Sequence, residues 1–278
     1  MVPRVLCFAR SAVPATSTRI TSRHNPVVAR YRAVARGDVD GLLLLDGAHL
    51  VNDAIAAGLI IEHAAVDINA SERDEVARLL GSLRSADVET ISVTAPVMDA
   101  LSPVRSSSAI VAIARRPSTD TADVYRGPAP LAVIACDVQD PGNLGAIVRV
   151  AEAGGASGVV TVGGSADPFG WKALRGSMGS ALRLPLQRVD DAAVAVADAR
   201  RHGCRVVATA PRNGRSLFDV DLRRPTAVLI GGEGPGLPDS IVDAADERVT
   251  IPMQTPVESL NAAVTAALVV YEAQRQRT

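Results

Sequence analysis

The chain has 278 residues, of which 47% are hydrophobic, 21% charged and 3% aromatic, and its net charge is −1. That length holds one large or two ordinary domains with a proper core, and the composition is that of a globular protein. So neutral a balance excludes a broadly basic, phosphate-dominated nucleic-acid binder, and so few rings exclude an extended stacking platform, leaving room for a local basic patch.

Residues 1–16 contain arginines and serines, but their apolar piece is too short for a secretory signal, and a disordered leader is expected. In the next part "HNPVVARYRAVA" and "AHLVNDAIAAG" read as helices, and Gly58 stops the second. Around them "GLLLLD", "HAAVD", "VETISVT" and "SAIVAIA" read as short buried strands. Residues 17–114 are therefore expected to form a small α/β unit. The polar, proline-containing stretch 115–129 has no period of either kind and reads as a linker.

From residue 130 onward β and α signals alternate. "LAVIACD" precedes a helix over residues 143–154, then come "GVVTV", a helix near 171–181 and the helical "DDAAVAVADARRHG". The strands "RVVATA", "TAVLIGG" and "RVTIPM" follow, the last ending at Ile251-Pro252-Met253, before a terminal helix over about 257–277. Alternation of this kind predicts a parallel sheet with helices on both faces and ligands outside the carboxyl ends of the strands. Cys7, Cys136 and Cys204 lack paired spacing and the four histidines are scattered, so neither a disulfide framework nor a metal site is expected, in keeping with a reducing, cytoplasmic setting. No apolar run reaches the roughly 18 residues of a membrane span.

"GGEGPGLP", residues 231–238, places four glycines in six positions directly after a strand. It is not a P-loop, because Leu237-Pro238 stand where Lys and Ser/Thr belong. The dinucleotide fingerprint also fails, meeting Leu237 where its third glycine is required. Pro235 removes an N–H and Glu233 adds a carboxylate, and both oppose an anion. A loop of this kind suits close backbone approach to a neutral or cationic ligand.

Two other segments put polar residues where a helix meets a strand end. In "DVQDPGNLGAIVRVAEAGG", Asn143 is placed to cap a helix with the apolar stripe Leu144, Ile147, Val148 and Ala151, and Arg149 falls off that stripe, where it reads on its own as a solvated cation. In "IPMQTPVESLNAAV", Ser259 reads as an ordinary N-cap. Asn261 is a poor choice inside so apolar a helix and is expected to face something polar.

In order and spacing these three segments resemble the motifs of the SpoU (TrmH-like) RNA ribose methyltransferases of the SPOUT superfamily. Residues 143–149 are similar to the first motif and residues 229–237 to the second. Ile251-Pro252-Met253, Val257-Glu258-Ser259-Leu260-Asn261 and the tail to residue 277 are similar to the third. Less strongly, "ITSRHNPVVARYRAV" and "LLLLDGAHLVNDAI" resemble the substrate-binding domain of rRNA-modifying members, although Val27, Val28 and Ala29 stand where lysines are common.

The resemblance implies a trefoil-knotted, parallel-sheet methyltransferase domain over 130–278, preceded by a smaller α/β RNA-binding domain. It implies methyl transfer from S-adenosylmethionine to a ribose 2′-hydroxyl without a metal. By carry-over, Thr209, Gly231, Gly232, Gly234, Gly236, Ile251, Met253 and Leu260 hold the cofactor. Arg149 is the catalytic residue, with Glu233 orienting Arg149 or the ribose, and Asn143, Ser259 and Asn261 positioning the nucleotide and loops. Guanidinium stays protonated, so Arg149 is assigned to stabilising the developing alkoxide and the adjacent phosphate. Lys172, Arg175 and Ser177 are expected RNA contacts, and a homodimer through the knotted domain is expected. The substrate expected first is 23S rRNA; tRNA, or a non-catalytic RNA-binding or ribosome-assembly role on the same fold, are the alternatives.

Overall fold

Asn25-Pro26 starts the first helix by capping chemistry: the Asn25 side chain accepts the Val27 N–H, Pro26 occupies the first turn, and Gly37 closes the helix at φ 80°. The computed structural model describes residues 18–278 except Glu72, Arg105 and Pro235, so the expected leader lies outside the described residues. Helix α1 (Pro26–Arg36) buries Val28, Tyr31 and Val34. The Tyr31 hydroxyl bonds His63 Nδ1 at 2.7 Å within the core.

The first sheet contains β1 (Arg19–Ile20), β2 (Leu42–Asp46), β3 (Ile61–Asp67), β4 (Glu89–Val93) and β5 (Ile110–Arg115), in the order β1-β4-β3-β5-β2. Strand β5 runs antiparallel to β2 and β3, while β1, β4 and β3 are parallel. Helices α2 (Ala48–Ala56), α3 (Asp74–Ser85) and α4 (Ala95–Leu101) complete this half. The sequence reading contains neither α3 nor α4. The first carries Gly81 and lacks a side-chain cap, and the second spans only seven residues, so their signals are weak.

The stretch expected as a linker is more ordered than its composition suggests. It carries α5 (Thr121–Val124) behind an Asp120–Asp123 capping box, and Val124 and Tyr125 are buried against the second sheet.

That sheet is wholly parallel, as the alternating pattern predicts. Its strands are β6 (Leu131–Cys136), β7 (Gly158–Val162), β8 (Leu186–Val189), β9 (Arg205–Thr209), β10 (Arg215–Ser216), β11 (Thr226–Gly231) and β12 (Glu247–Thr250). Their order is β10-β12-β9-β11-β6-β7-β8, so the direction of winding reverses beside β6. Helices α6 (Pro141–Ala153), α7 (Trp171–Ser177), α8 (Ala192–Arg201), α9 (Asp239–Ala244) and α10 (Ala262–Arg277) surround it. Among the described residues no helix is long and apolar enough to cross a membrane.

Several boundaries differ from expectation. Helix α6 begins at Pro141 and is capped by Asp140, not Asn143, because proline fits the first helical turn and the Asp140 carboxylate accepts the Asn143 N–H at 2.8 Å. Strand β12 stops at Thr250, before Ile251-Pro252-Met253. Helix α10 starts at Ala262, and its cap is Asn261, not Ser259: the Asn261 side chain accepts from both Ala263 and Val264 N–H. Helix α7 ends at Ser177, because Met178 and Gly179 turn left-handed before a short 3-10 segment.

Close contacts explain two glycines, one within α6 and one at its end. A Cβ at Gly145 would lie 2.5 Å from the Ala173 carbonyl and 2.9 Å from Gly176, so α6 and α7 cross only over glycine. At Gly154 it would meet Val270 of α10. One apolar cluster then runs from Leu43, Leu45 and Val51 of the first half into Leu144, Leu174 and Leu182 of the second.

Candidate active site

The carboxyl ends of β9, β11 and β12 open into a cavity of about 660 Å³. This is where an open parallel sheet exposes loops to a ligand. All eight residues expected to hold a cofactor line it: Thr209 after β9, Gly231, Gly232, Gly234 and Gly236 after β11, and Ile251, Met253 and Leu260 after β12. Glu233, Ser259 and Asn261 line it too, whereas Asn143 and Arg149 do not.

The glycines have different reasons to be glycine. A Cβ on Gly232 would fall 1.9 Å from the Asp137 carbonyl oxygen, and one on Gly231 would fall 2.7 Å from Leu237 N. Their missing side chains therefore admit the protein's own backbone. Gly234 and Gly236 adopt φ 102° and 74° and shape the turn itself. Thr209 spends its hydroxyl on the Leu229 carbonyl at 2.8 Å, tying β9 to β11.

A chain of hydrogen bonds joins the three motif segments at the mouth of this cavity. Asn143 donates through Nδ2 to Glu233 Oε1 at 2.5 Å, and the Gln139 N–H donates to Glu233 Oε2 at 3.2 Å. Asn261 Nδ2 donates to Asn143 Oδ1 at 3.0 Å. Asn261 therefore faces a polar partner, as its place before an apolar helix predicts. Burial raises the Glu233 pKa, but the Asn143 amide and the N–H groups of Glu233 and Gln139 outweigh it and hold the carboxyl below its ordinary value of 4.5.

Arg149 lies outside this network. It is exposed on α6 and makes no hydrogen bond or ion pair among the described residues, so no bond joins it to Glu233. Ser259 is exposed at the cavity. Lys172 and Arg175 are exposed on α7, with the Lys172 ammonium 5.5 Å from the centre of the Trp171 ring. Ser177, expected beside them as an RNA contact, is fully buried and donates to the Leu174 carbonyl, so it presents nothing to a surface partner.

Sequence reasoning missed Gln139 and Asp140, although Asp140-Pro141 is a readable helix start. It also missed Arg212, Asp239 and Arg248 on the cavity wall, whose spacing carries no signal. Arg248 pairs with Asp243 at 2.9 Å and Arg212 with Glu258 at 3.6 Å. With both cations paired, carboxylates at Glu233 and Asp239, and apolar Ile251, Met253 and Leu260, the wall fits a neutral or cationic ligand held largely by backbone groups. S-adenosylmethionine has that character.

The model of the SpoU rRNA Methylase family matches residues 130–271. A Synechocystis sp. protein named as an uncharacterized tRNA/rRNA methyltransferase is 33% identical over 265 residues, 93% of this chain and 94% of its own. RlmP of Bacillus subtilis, a 23S rRNA (guanosine(2553)-2′-O)-methyltransferase, is 30% identical over 229 residues, 82% of this chain and 86% of its own. The AdoMet-bound rRNA methyltransferase from Sinorhizobium meliloti superposes with a TM-score of 0.84 at 27% identity, covering 93% and 98% of the two chains. With its three motif segments joined by hydrogen bonds beside one cavity, the chain belongs to the SpoU rRNA methylase family.

Proposed function

We propose that this chain, an S-adenosylmethionine-dependent methyltransferase by family, methylates a ribose 2′-hydroxyl of 23S rRNA. The observation that carries this reading is the Glu233–Asn143–Asn261 chain, which lies beside the cavity and next to a helix whose Arg149 has no partner among the described residues. Residues 130–278 act as the methyltransferase domain, with the three cavity segments threaded as a trefoil knot, and residues 17–114 act as the RNA-binding domain. Both work in the cytoplasm.

Bound S-adenosylmethionine supplies a methyl group on a sulfonium centre. The backbone of Gly231, Gly232, Gly234 and Gly236, with Ile251, Met253 and Leu260, holds it at the strand ends. Arg149 keeps its charge throughout, stabilising the ribose oxyanion and the neighbouring phosphate while the hydroxyl proton leaves to water. Glu233 stays ionised and, through Asn143 and Asn261, fixes the starts of α6 and α10 around the ribose. Lys172 and Arg175 contact the RNA backbone.

Val264, Leu268 and Tyr271 are exposed at i, i+4 and i+7 on α10, an apolar stripe that a second copy of the chain covers in a homodimer. Sedimentation at micromolar concentration reads that dimer directly; a monomer there contradicts it.

The ionised Glu233 has a pH consequence. Because its folded pKa is depressed, the stabilisation it contributes is complete above its unfolded value and is lost as pH falls through the folded one. Cofactor affinity by calorimetry is expected to be level near neutrality and to weaken only once pH falls below the ordinary value of 4.5, through the depressed folded value. In Glu233→Gln that acid limb disappears. A loss of affinity already at pH 6 contradicts the assignment.

The function is tested by mapping ribose methylation in total RNA from cells with and without the gene. One 23S rRNA position is expected to lose its methyl group. If neither rRNA nor tRNA changes, the proposal fails.

A further inference from the structure

The two halves of the molecule meet through an ion network that the cofactor site does not use. Arg183, which follows the 3-10 turn after α7, donates in parallel from Nε and Nη2 to both oxygens of Glu152 on α6, each at 2.8 Å. Its Nη1 reaches Asp53 Oδ2 of α2, in the other half, at 3.3 Å. His49 contacts the same Asp53 oxygen at 3.4 Å. That oxygen is shielded from solvent, and Gly179 makes room for it: a Cβ there would lie 1.9 Å from it. The fork holds the Glu152 carboxyl below its ordinary value.

Glu152 occupies a particular place on α6. Gly145, Arg149 and Glu152 stand at i, i+4 and i+7, on one helix face. Gly145 is locked one turn before Arg149 by its crossing with α7, and Glu152 is locked about one turn after it by Arg183. At a second point the halves are tied by Arg116, just after β5, whose Nη2 donates to Asp167 at 2.7 Å while its Nε donates to the Leu42 carbonyl. The apolar cluster between the halves holds them together without direction, whereas a forked guanidinium fixes orientation.

We propose that Arg183 is a positioning residue for the RNA substrate: it sets the register between α2 of the RNA-binding half and the α6 face that carries Arg149. This rests on the ribose methyltransferase reading above. RNA that spans both halves meets them already aligned. Without Arg183 it must select the aligned arrangement from several, and its apparent affinity falls by the fraction aligned. Cofactor binding, at the far strand ends, is left alone.

The test uses the full-length protein in three variants. Asp53→Asn leaves the Arg183–Glu152 fork intact and weakens the contacts of Asp53, to Arg183 across the halves and to His49 within α2. Arg183→Ala removes both contacts, and Arg183→Lys keeps the charge without the fork. Direct RNA affinity and KM for RNA are expected to weaken about 5- to 10-fold in Asp53→Asn and Arg183→Ala, the lower range for coupling between two sites. Arg183→Lys is expected to fall between these and wild type. In all three, kcat at saturating RNA stays within about twofold and S-adenosylmethionine affinity is unchanged. Wild-type RNA affinity in both Asp53→Asn and Arg183→Ala overturns the proposal, as does an equal loss of cofactor affinity, which marks a folding defect. A wild-type protein that methylates no RNA overturns the functional reading instead, and the RNA affinities then decide Arg183 alone.

Discussion

Arg149→Ala binds S-adenosylmethionine with wild-type affinity and loses methyl transfer by roughly 10²–10³-fold, the range for removing one electrostatic stabiliser of a developing oxyanion. Two features separate these effects. Arg149 does not line the cofactor cavity, so calorimetry is expected to report an unchanged dissociation constant. It also has no intramolecular partner among the described residues, so its removal strands no buried charge and barely moves the thermal midpoint. Arg149→Lys keeps a point charge without the planar fork and is expected to recover only part of the rate. Single-turnover kinetics with saturating RNA read the chemical step directly. Full activity in Arg149→Ala sinks the assignment.

Gly232→Ala is expected to do the opposite, abolishing cofactor binding with the chemistry residues untouched. The added methyl needs the space held by the Asp137 carbonyl, 1.9 Å away. Backbone cannot rotate aside as a side chain does, so either Asp137 or the glycine loop must move. Overpacking of this kind costs about 1–3 kcal/mol, occasionally more. Here the strain falls on the segment that shapes the cavity and presents Glu233 to Asn143. Calorimetry is expected to show no binding at cofactor concentrations that saturate wild type, with the fold retained by circular dichroism. Gly234→Ala meets no atom within 4 Å and suffers only its φ of 102°, so it is expected to be milder. Equal affinities for the two variants contradict the packing explanation.

How much of this was readable in the sequence depends on the kind of information each residue carries. The parallel sheet was legible because buried strands and helices alternate with distinct periods from residue 130 onward. The polar setting of Asn261 was legible because asparagine fits poorly inside an apolar helix. That its partner is Asn143, 118 positions away, was not, since no local pattern encodes so distant a contact. Asn143 looked like a cap because Asp140 and Asn143 are both capping types; Pro141 decides between them.

The glycines of residues 231–236 showed that backbone approaches something. They did not show that at Gly231 and Gly232 it is the chain's own backbone. Ser177 is expected as an RNA contact only by the family resemblance, and a helix as short as α7 gives too little periodicity to show that this side chain is packed. The Arg183 junction left no trace either, since a lone arginine between two leucines looks like any surface cation.

Purified protein is incubated with labelled S-adenosylmethionine and unmodified 23S rRNA, and the RNA is digested to nucleosides and resolved by mass spectrometry. A single 2′-O-methylated nucleoside carrying the label, absent with Arg149→Ala, is the predicted result. Label on a base, or no label in the 23S rRNA, contradicts it.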